Sequence, residues 1–256
     1  NKMVKAKKHL GQHFLTDKNI ARKIAENIPI DKRYNIAEVG PGTGFLTEQL
    51  LLEEPVNYYG FEVDEELVEH LEAHFPGLKG RIRQEDFLNT HLADYFDEDI
   101  TVIGNFPYNI SSQILFHVLH NRDIITLMIG MFQKEVAERI TSGPGSKRYG
   151  ILSVLTQAFF DCEYLFTVHE NVFKPNPQVK SAVIRLTRNS ARDPHCDHTL
   201  FFKVVKTGFN QRRKTLRNSL KSLFRGSVSE HELLNKRPEQ LGVDEFTQIT
   251  KLIKSQ

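Results

Sequence analysis

The stretch that decides the fold is NIAEVGPGTGFL, residues 35–46. Its first half is mostly apolar, and Gly40, Gly42 and Gly44 alternate with other residues before a helical pattern begins. Glycine permits backbone conformations and close approaches that a side chain forbids, so a strand-to-helix turn of this kind can pass directly beside a ligand. A glycine-rich turn alone is weak evidence, because many such turns only close a tight bend.

Segments typical of strands and of helices alternate around this turn. Asp17 is predicted to cap a helix whose Ile20, Ile24 and Ile28 recur at helical spacing, and Asp64 is predicted to cap a later one. Strands are predicted at residues 35–40, 56–63, 80–86, 99–105 and 124–133. This order is typical of an α/β protein with a parallel sheet covered by helices on both faces.

The later part of the chain has a different pattern. Residues 163–170 and 181–188 are predicted as two strands joined by a link with two prolines and no helix, which favours an antiparallel pair. Residues 189–198 have the composition of a linker, and helical patterns follow. We therefore predict a first domain over residues 1–188, with a basic N-terminal arm, and a small helical second domain over residues 189–256.

Acidic residues end the next two predicted strands. Glu62 lies 22 residues after Gly40, where a carboxylate can accept hydrogen bonds from both hydroxyls of a ribose. Asp86 ends the third strand, where it can accept from an adenine amino group while Phe87 flanks the ring. Together with the glycine turn, these strand ends predict an adenosine pocket. The turn has GxGxG spacing and not the dinucleotide GxGxxG, which favours an adenosine ligand without pyrophosphate, such as S-adenosylmethionine.

The fourth strand ends in Asn105, Phe106, Pro107 and Tyr108. The Asn105 side-chain carbonyl and the Phe106 backbone carbonyl, restricted by the following proline, are two acceptors that suit the two N–H groups of an exocyclic amine. Binding both hydrogens would direct the nitrogen lone pair at an electrophile, and no strong base is needed. Tyr108 can stack on the base. An ordinary proline turn before a helix is the alternative interpretation.

The set of motifs resembles one family, the ribosomal small-subunit RNA adenine dimethyltransferases. The matching segments, in family order, are KKHLGQHFL, EVGPGTGFLT, FEVD, QEDFL, GNFPYNISS, VFKPNPQVKSAVIRL and GFNQRRKTLRNSL. The similarity runs from about Lys8 to Leu220 and continues loosely to the end of the chain. It implies a class I S-adenosylmethionine-dependent methyltransferase fold, Rossmann-like, with a mostly parallel seven-stranded sheet, a terminal antiparallel hairpin and a small all-α C-terminal domain.

The resemblance also implies roles for individual residues. It places cofactor contacts at His13, Leu15, Gly40, Glu62, Asp86 and Asn105, to which the glycine turn adds Gly42 and the third strand end adds Phe87. It places the target amine at Asn105 and the Phe106 carbonyl, and base stacking at Tyr108 and Phe173. Two positions depart from the family pattern, since His13 stands where Asn is usual and Phe106 stands where Leu is usual.

The net charge of +2 conceals an uneven distribution. Residues 1–24 and residues 189–256 each carry a net charge of +6, so the middle of the chain carries −10. We predict that both basic ends contact one polyanion, with Lys2, Lys5, Lys7 and Lys8 as candidate residues in the first arm, and chance surface charge is the alternative interpretation. In the second domain, four basic residues at intervals of four are predicted to form one helical stripe. The predicted RNA contacts are Arg212, Arg213, Lys214, Arg217, Lys221 and Arg225.

These observations predict an enzyme that dimethylates the N6 amines of two adjacent adenines in a hairpin loop of small-subunit ribosomal RNA, within a maturing subunit. The alternatives are a resistance-type methyltransferase of large-subunit RNA and a non-catalytic ribosome assembly factor. The two cysteines are too few for a disulfide framework, and no apolar run is long enough to cross a membrane, so we expect a cytoplasmic protein. We expect no metal site, because HCDH at residues 195–198 lacks a second cluster that would complete one. We also expect a monomer.

Overall fold

A computed structural model describes residues 3–256, so Asn1 and the arm residue Lys2 lie outside the described residues. The strands are β1 (Phe14–Leu15), β2 (Asn35–Val39), β3 (Asn57–Phe61), β4 (Ile82–Arg83), β5 (Ile100–Asn105), β6 (Ile125–Gln133), β7 (Phe160–Val168), β8 (Phe173–Lys174) and β9 (Ser181–Arg188). The α-helices are α1 (Lys18–Glu26), α2 (Phe45–Leu52), α3 (Glu65–His74), α4 (Ser111–His120), α5 (Lys134–Thr141), α6 (Ile151–Phe159), α7 (His198–Asn210), α8 (Leu216–Ser219) and α9 (Val243–Lys254).

Seven strands form one sheet in the order β4-β3-β2-β5-β6-β9-β7. The first five run parallel to one another, and β9 runs antiparallel to β6. The prediction of a mostly parallel sheet with a terminal antiparallel hairpin is therefore confirmed. A second sheet pairs β1 with β8 in antiparallel fashion. Its strands have two residues each, which is too short to produce a recognisable sequence pattern.

Local sequence signals explain where the helices begin. The Asp17 carboxylate accepts a hydrogen bond from the Ile20 amide at 3.0 Å, and the Asp64 carboxylate accepts one from the Glu66 amide at 3.1 Å. Both predicted N-caps are thus confirmed, since each satisfies an amide that the first turn of a helix leaves unpaired. The strand β2 is buried along its whole length, as expected for a parallel strand covered on both faces.

The register of the parallel strands positions the functional residues. Val39 at the end of β2 pairs with Phe61 at the end of β3, and Ile103 in β5 pairs with Glu38 in β2. Because parallel strands end at the same edge of the sheet, the residues that follow them come together there. The glycine turn, Glu62 and the Asn105 motif therefore share one edge.

The chain forms two compact units. The first contains the chain up to Ala137 together with Glu163–Arg188, and the second contains Glu138–Cys162 together with Asn189–Gln256. The core of the first unit includes Ile24, Ile36 and Leu50. The functional division into residues 1–188 and 189–256 stays a prediction.

The second unit is helical and has its own core. Phe201 of α7 and Phe246 of α9 are fully buried, and Phe209 packs against Phe246 with ring centroids 5.9 Å apart. The Tyr149 hydroxyl donates a hydrogen bond to the Leu241 carbonyl at 2.5 Å. Within the described part of the chain, every helix falls short of the length and apolarity that a membrane crossing requires.

Candidate active site

A pocket at the carboxyl edge of the large sheet collects almost all of the predicted site residues. We call it the edge pocket. The predicted residues that line it are His13, Leu15, Gly40, Gly42, Glu62, Asp86, Phe87, Asn105, Phe106, Pro107 and Tyr108. The predicted convergence of strand ends is therefore observed, and of the residues predicted for this site only Phe173 is absent from the lining.

The glycine turn has the geometry that its sequence predicts. Gly40, Gly42 and Gly44 have φ values of 65°, 61° and 94°, which side-chain-bearing residues rarely adopt. A Cβ atom on Gly40 would lie 3.8 Å from the Asn105 carbonyl oxygen, so the turn passes in contact range of the next strand end. Helix α2 begins directly after Gly44, which places its N-terminal amides beside the edge pocket.

Glu62 is held by backbone donors. Its Oε1 accepts from the Gly42 amide at 3.2 Å and its Oε2 accepts from the Asp64 amide at 3.1 Å. Burial raises the pKa of Glu62 to about 7, although both hydrogen bonds act in the opposite direction. A carboxylate oxygen has more than one lone pair, so each can accept a further hydrogen bond. The arrangement suits a ligand that donates from two neighbouring hydroxyls.

Asp86 and Phe87 form the next part of the wall. The Asp86 carboxylate accepts from the Leu88 amide at 3.0 Å, which fixes its position after β4. The Phe87 ring is almost fully buried and meets the edge of the His117 ring at a centroid distance of 5.0 Å. The pair combines a fixed acceptor with an apolar face, which is the combination expected for an adenine site.

Asn105 has a defined orientation. Its Nδ2 donates to the His13 backbone carbonyl at 2.9 Å. Because this bond fixes which end of the amide faces His13, the side-chain carbonyl oxygen is the acceptor that remains for an incoming donor. This is the property that the predicted role in holding an amine requires.

The ring of Phe106 faces the sheet interior. It is 1% exposed and meets the Phe132 ring edge-on at 5.2 Å. It covers two glycines of neighbouring strands, since a Cβ atom on Gly130 would lie 2.2 Å from its Cε2 and one on Gly104 would lie 3.0 Å from its Cε1. The ring thus anchors the strand end in the core, and only the backbone of Phe106 is available to a ligand.

His13 connects three parts of the site. Its ring stacks on Tyr108 with centroids 5.4 Å apart and an interplanar angle of 27°. Its Nδ1 lies 2.8 Å from the Pro175 carbonyl, and Nδ1 must donate because a carbonyl only accepts. The Tyr108 hydroxyl is hydrogen-bonded to the Ser181 hydroxyl. At this departure from the family pattern, the imidazole therefore orders the residues around the edge pocket.

Phe173 does not occupy its predicted position. Its side chain is fully buried in the core of the first unit, and the residue pairs with Leu15 between β8 and β1. The predicted sandwich of a base between Tyr108 and Phe173 is not formed, because Phe173 exposes no face to the pocket. The sequence could not reveal this, since a two-residue strand pairing buries the ring.

Glu38 is a functional candidate that the sequence interpretation missed. It lies within the glycine motif, lines the edge pocket and is 1% exposed. Its Oε1 accepts from the hydroxyls of Thr47 and Tyr58, both at 2.6 Å. Burial raises its pKa to about 7, against the effect of these hydrogen bonds. Its position two residues before Gly40 is the signal that could have identified it.

The N-terminal arm is bound to Asp64, whose backbone amide donates to Glu62. Both Asp64 carboxylate oxygens lie 2.7 Å from the Lys7 Nζ, and Oδ2 also accepts from the Gln12 Nε2 at 3.0 Å. Burial acts to raise the pKa of Asp64, but these partners lower it below the usual value. Lys7 was predicted to contact a polyanion, and its ammonium is instead bound to an acidic residue. Lys5 and Lys8 are exposed.

The predicted basic stripe of the second unit is wrong. Helix α7 ends at Asn210, Arg213 lies in a turn, α8 is a single turn, and Arg225 lies beyond a further short helical turn. The cause is packing, because the Leu216 side chain folds back against Gly208, where a Cβ atom would lie 2.9 Å from it. A continuous helix would separate these two residues by about 12 Å.

Two of the predicted RNA contacts have structural partners. Arg217 donates to the carbonyls of Ser229 at 2.6 Å and His231 at 3.2 Å, and to the Asn235 side chain at 3.0 Å. Arg212 donates to the Lys147 carbonyl at 3.2 Å. The other four predicted residues are exposed, namely Arg213, Lys214, Lys221 and Arg225.

The fold and the order of strand-end residues define a class I methyltransferase. The family model for ribosomal RNA adenine dimethylase matches residues 3–256. The chain is 54% identical to ribosomal RNA small subunit methyltransferase A of Parabacteroides distasonis, over 97% of this chain and 94% of that protein. It is also 54% identical to the protein of the same name from Flavobacterium johnsoniae, over 98% of this chain and 97% of that protein. The chain belongs to the ribosomal RNA adenine dimethylase family.

Solved structures agree on the fold. A dimethyladenosine transferase from Plasmodium falciparum superposes with a TM-score of 0.78 at 22% identity, covering 95% of this chain and 98% of that one. The 23S rRNA methyltransferase ErmE superposes with a TM-score of 0.67 at 24% identity, covering 93% of this chain and 99% of that one. At these identities the likeness concerns the fold alone.

Proposed function

We propose that this protein dimethylates the N6 amines of two adjacent adenines in a hairpin loop of small-subunit ribosomal RNA, using S-adenosylmethionine, while the subunit matures. The family membership supports the class of reaction. The observation that carries the chemistry is Asn105, whose amide nitrogen is bound to the His13 carbonyl so that its oxygen can hold an amine. A cytoplasmic location follows from the proposed substrate.

The edge pocket has the donor and acceptor set that S-adenosylmethionine requires. Glu62 is 6% exposed, and within residues 3–256 its carboxylate accepts from the backbone amides of Gly42 and Asp64, so its remaining lone pairs suit ribose hydroxyls. Asp86 would accept from the adenine amine, with Phe87 against the ring. The glycine turn leaves room for close approach to the backbone. When bound, this cofactor supplies an electrophilic methyl group on a sulfonium.

The residues of the Asn-Phe-Pro-Tyr motif would position the nucleophile. The Asn105 Oδ1 and the Phe106 carbonyl would accept both N–H groups of the adenine amine, which orients its lone pair. Catalysis then rests on positioning, and the amine loses its proton after transfer without a dedicated strong base. For a second transfer to the same nitrogen, the remaining N–H must still be held by one of these two acceptors. Tyr108 would stack on the base.

The substrate assignment rests on the named relatives and on charge. Relatives that match over nearly their full length are named small subunit methyltransferases. Exposed Arg213, Lys214, Lys221 and Arg225 are proposed to contact RNA phosphates in the second unit. A resistance-type enzyme acting on large-subunit RNA would share the amine-holding motif, and a non-catalytic assembly factor would have no use for it.

The substrate can be tested by labelling. The protein is incubated with methyl-labelled S-adenosylmethionine and either small subunits that lack the modification or large-subunit RNA. We expect label in the small-subunit RNA and not in the large-subunit RNA. Label confined to large-subunit RNA would overturn the substrate assignment, and an absence of label from both would favour the assembly factor.

A further inference from the structure

A second cavity lies directly beside the edge pocket, and we call it the side cavity. It is lined by Ala6, Lys8, Gly11, Gln12, His13, Tyr108, Gln133 and the link residues Pro175, Asn176, Pro177, Gln178 and Val179. Four of these residues also line the edge pocket, including the stacked pair His13 and Tyr108. The two cavities thus share a wall that consists of Gly11, Gln12 and this pair of rings.

The chemistry of the side cavity differs from that of its neighbour. Its lining contains no acidic residue, whereas it contains four primary amides, in Gln12, Gln133, Asn176 and Gln178. Within residues 3–256, the Gln12 amide is bonded to Lys7 and Asp64, whereas the other three amides take part in no side-chain hydrogen bond, so their donors and acceptors are free. Lys8 stands at the same cavity with an exposed side chain. Amides recognise the edges of bases, and an ammonium attracts a phosphate.

The rings of His13 and Tyr108 are each hydrogen-bonded to residues in or next to the link that lines the side cavity. The Pro175 carbonyl accepts from the His13 ring, and Ser181 at the start of β9 bonds the Tyr108 hydroxyl. The buried Pro177 fixes the middle of the link that carries the amides. The rings and the amides are therefore positioned by the same segment of chain.

A base-modifying enzyme must take its target out of the RNA stack, and the neighbouring unstacked bases then need support. We propose that the side cavity binds the nucleotide next to the target adenine, and that Asn176 and Gln178 recognise a purine edge there while Lys8 contacts its phosphate. This inference rests on the proposed function. Bidentate pairing with adenine is the contact that Asn and Gln side chains make best.

The proposal has an unequal consequence for the two adjacent adenines. The cavity lies on one side of the target, so it receives the partner adenine during modification of one residue and a different nucleotide during modification of the other. Loss of the amides should therefore slow the two modifications by different factors. A variant that merely perturbed the fold or the cofactor site would slow both alike.

The test uses the double variant Asn176→Ala/Gln178→Ala, whose altered side chains are exposed in the wild type. Unmethylated small subunits and labelled S-adenosylmethionine are the substrates, and the methylation rate is measured separately at each adenine. We expect the rate at one adenine to fall about tenfold more than at the other, the scale of a bidentate base contact. Cofactor affinity by calorimetry should not change. Gln248→Ala, an exposed glutamine on α9, is the matched control and should behave as wild type.

Each result has a distinct meaning. Equal rates for variant and wild type, or an equal loss at both adenines, would overturn the assignment of the side cavity while leaving the proposed function intact. If the wild-type protein itself transferred no label to small subunits, the proposed function would fail first and the inference with it. A selective loss at one adenine with unchanged cofactor affinity supports the assignment.

Discussion

The edge pocket and the side cavity share a wall, but they differ in charge. Four acidic residues line the edge pocket, namely Glu38, Glu62, Glu85 and Asp86. Among the described residues that line the side cavity there is no acid, and Lys8 contributes a positive charge. Both cavities lie in the first unit. Of the residues that line them, Gly11, Gln12, His13 and Tyr108 belong to both.

This difference indicates how one small region can take two kinds of ligand. Acidic side chains accept hydrogen bonds from hydroxyls and amines and repel phosphate, so they suit a cofactor with a ribose and a positive charge. A cavity without acids tolerates a polyanion and can use amides to read its bases. The charge difference would thus keep RNA phosphates away from the cofactor site, while the uncharged target base can still enter the edge pocket beside His13 and Tyr108.

The largest expected effect concerns Asn105, the amine-holding residue that lines the edge pocket. Replacing Asn105 with Ala removes the side-chain acceptor, and we expect kcat to fall about 10²–10³-fold, as for other positioned groups that act in the transition state. Single-turnover methyl transfer to small subunits measures it. Cofactor affinity, followed in parallel, should change far less. Full activity in this variant would show that Asn105 does not position the amine.

A second prediction tests the acidic side of the comparison. Ribose hydroxyls donate to the ionised form of Glu62, whose pKa is about 7 in the free protein. Cofactor affinity should therefore rise as pH increases through 7 and level off above it, because the carboxyl must lose its proton before it can accept both bonds. Below pH 7, affinity should fall by up to about tenfold per pH unit.

The Glu62→Gln variant is the matched test of that pH dependence. This variant should bind cofactor about tenfold more weakly than the wild type at pH 8. Its cofactor affinity should also depend less steeply on pH. The pH dependence that remains would arise from Glu38, whose pKa is also about 7. Calorimetric titration with S-adenosylmethionine from pH 6 to pH 8 measures both quantities. An unchanged pH profile in the variant would remove Glu62 from the cofactor site.

A third prediction concerns the buried anchor beneath the amine-holding motif. Gly130→Ala places a methyl group against the Phe106 ring and should lower the free energy of unfolding by about 2 kcal/mol. In a Phe106→Leu background the same change should cost about 1 kcal/mol less, because the smaller side chain leaves space. Gly77→Ala, where a Cβ atom would contact nothing within 4 Å, is the control. Additive costs would contradict this coupling.

The smallest expected effect concerns the arm that contributes to both cavities. Lys7→Met removes the ion pair with Asp64, and we expect cofactor affinity to fall about threefold, the scale of a partly exposed ion pair. Lys5→Met is the matched control, because Lys5 is exposed. Calorimetry compares the two. Equal affinities for both variants would show that the arm contact does not support the edge pocket.

Much of the edge pocket could be predicted because the relevant signals were local and the topology was regular. Gly40, Glu62, Asp86 and Asn105 each lie at the end of a predicted strand, and parallel strands end at one edge. Once the sheet was predicted as parallel, convergence of these residues followed from geometry alone. The N-caps Asp17 and Asp64 were predictable for the same reason, since capping depends on neighbours in sequence.

The errors came from contacts between residues far apart in the chain. Phe173 was placed beside the base, but its two-residue strand pairs with β1, almost 160 residues earlier, and buries the ring. The basic stripe assumed one helix, and the fold of Leu216 onto Gly208 breaks it. Arg217 binds carbonyls of a loop that has no helical or strand periodicity. Such pairings leave no pattern in a single sequence.

The central claim is that two acceptors hold the target amine, so that one of them still holds it after the first methylation. The most direct measurement is the nucleoside composition and position of the end product, by mass spectrometry, after exhaustive reaction with unmethylated small subunits. The account predicts N6,N6-dimethyladenine at two adjacent positions and little accumulated monomethyl product. A reaction that stops at N6-monomethyladenine, or modifies only one isolated adenine, would contradict it.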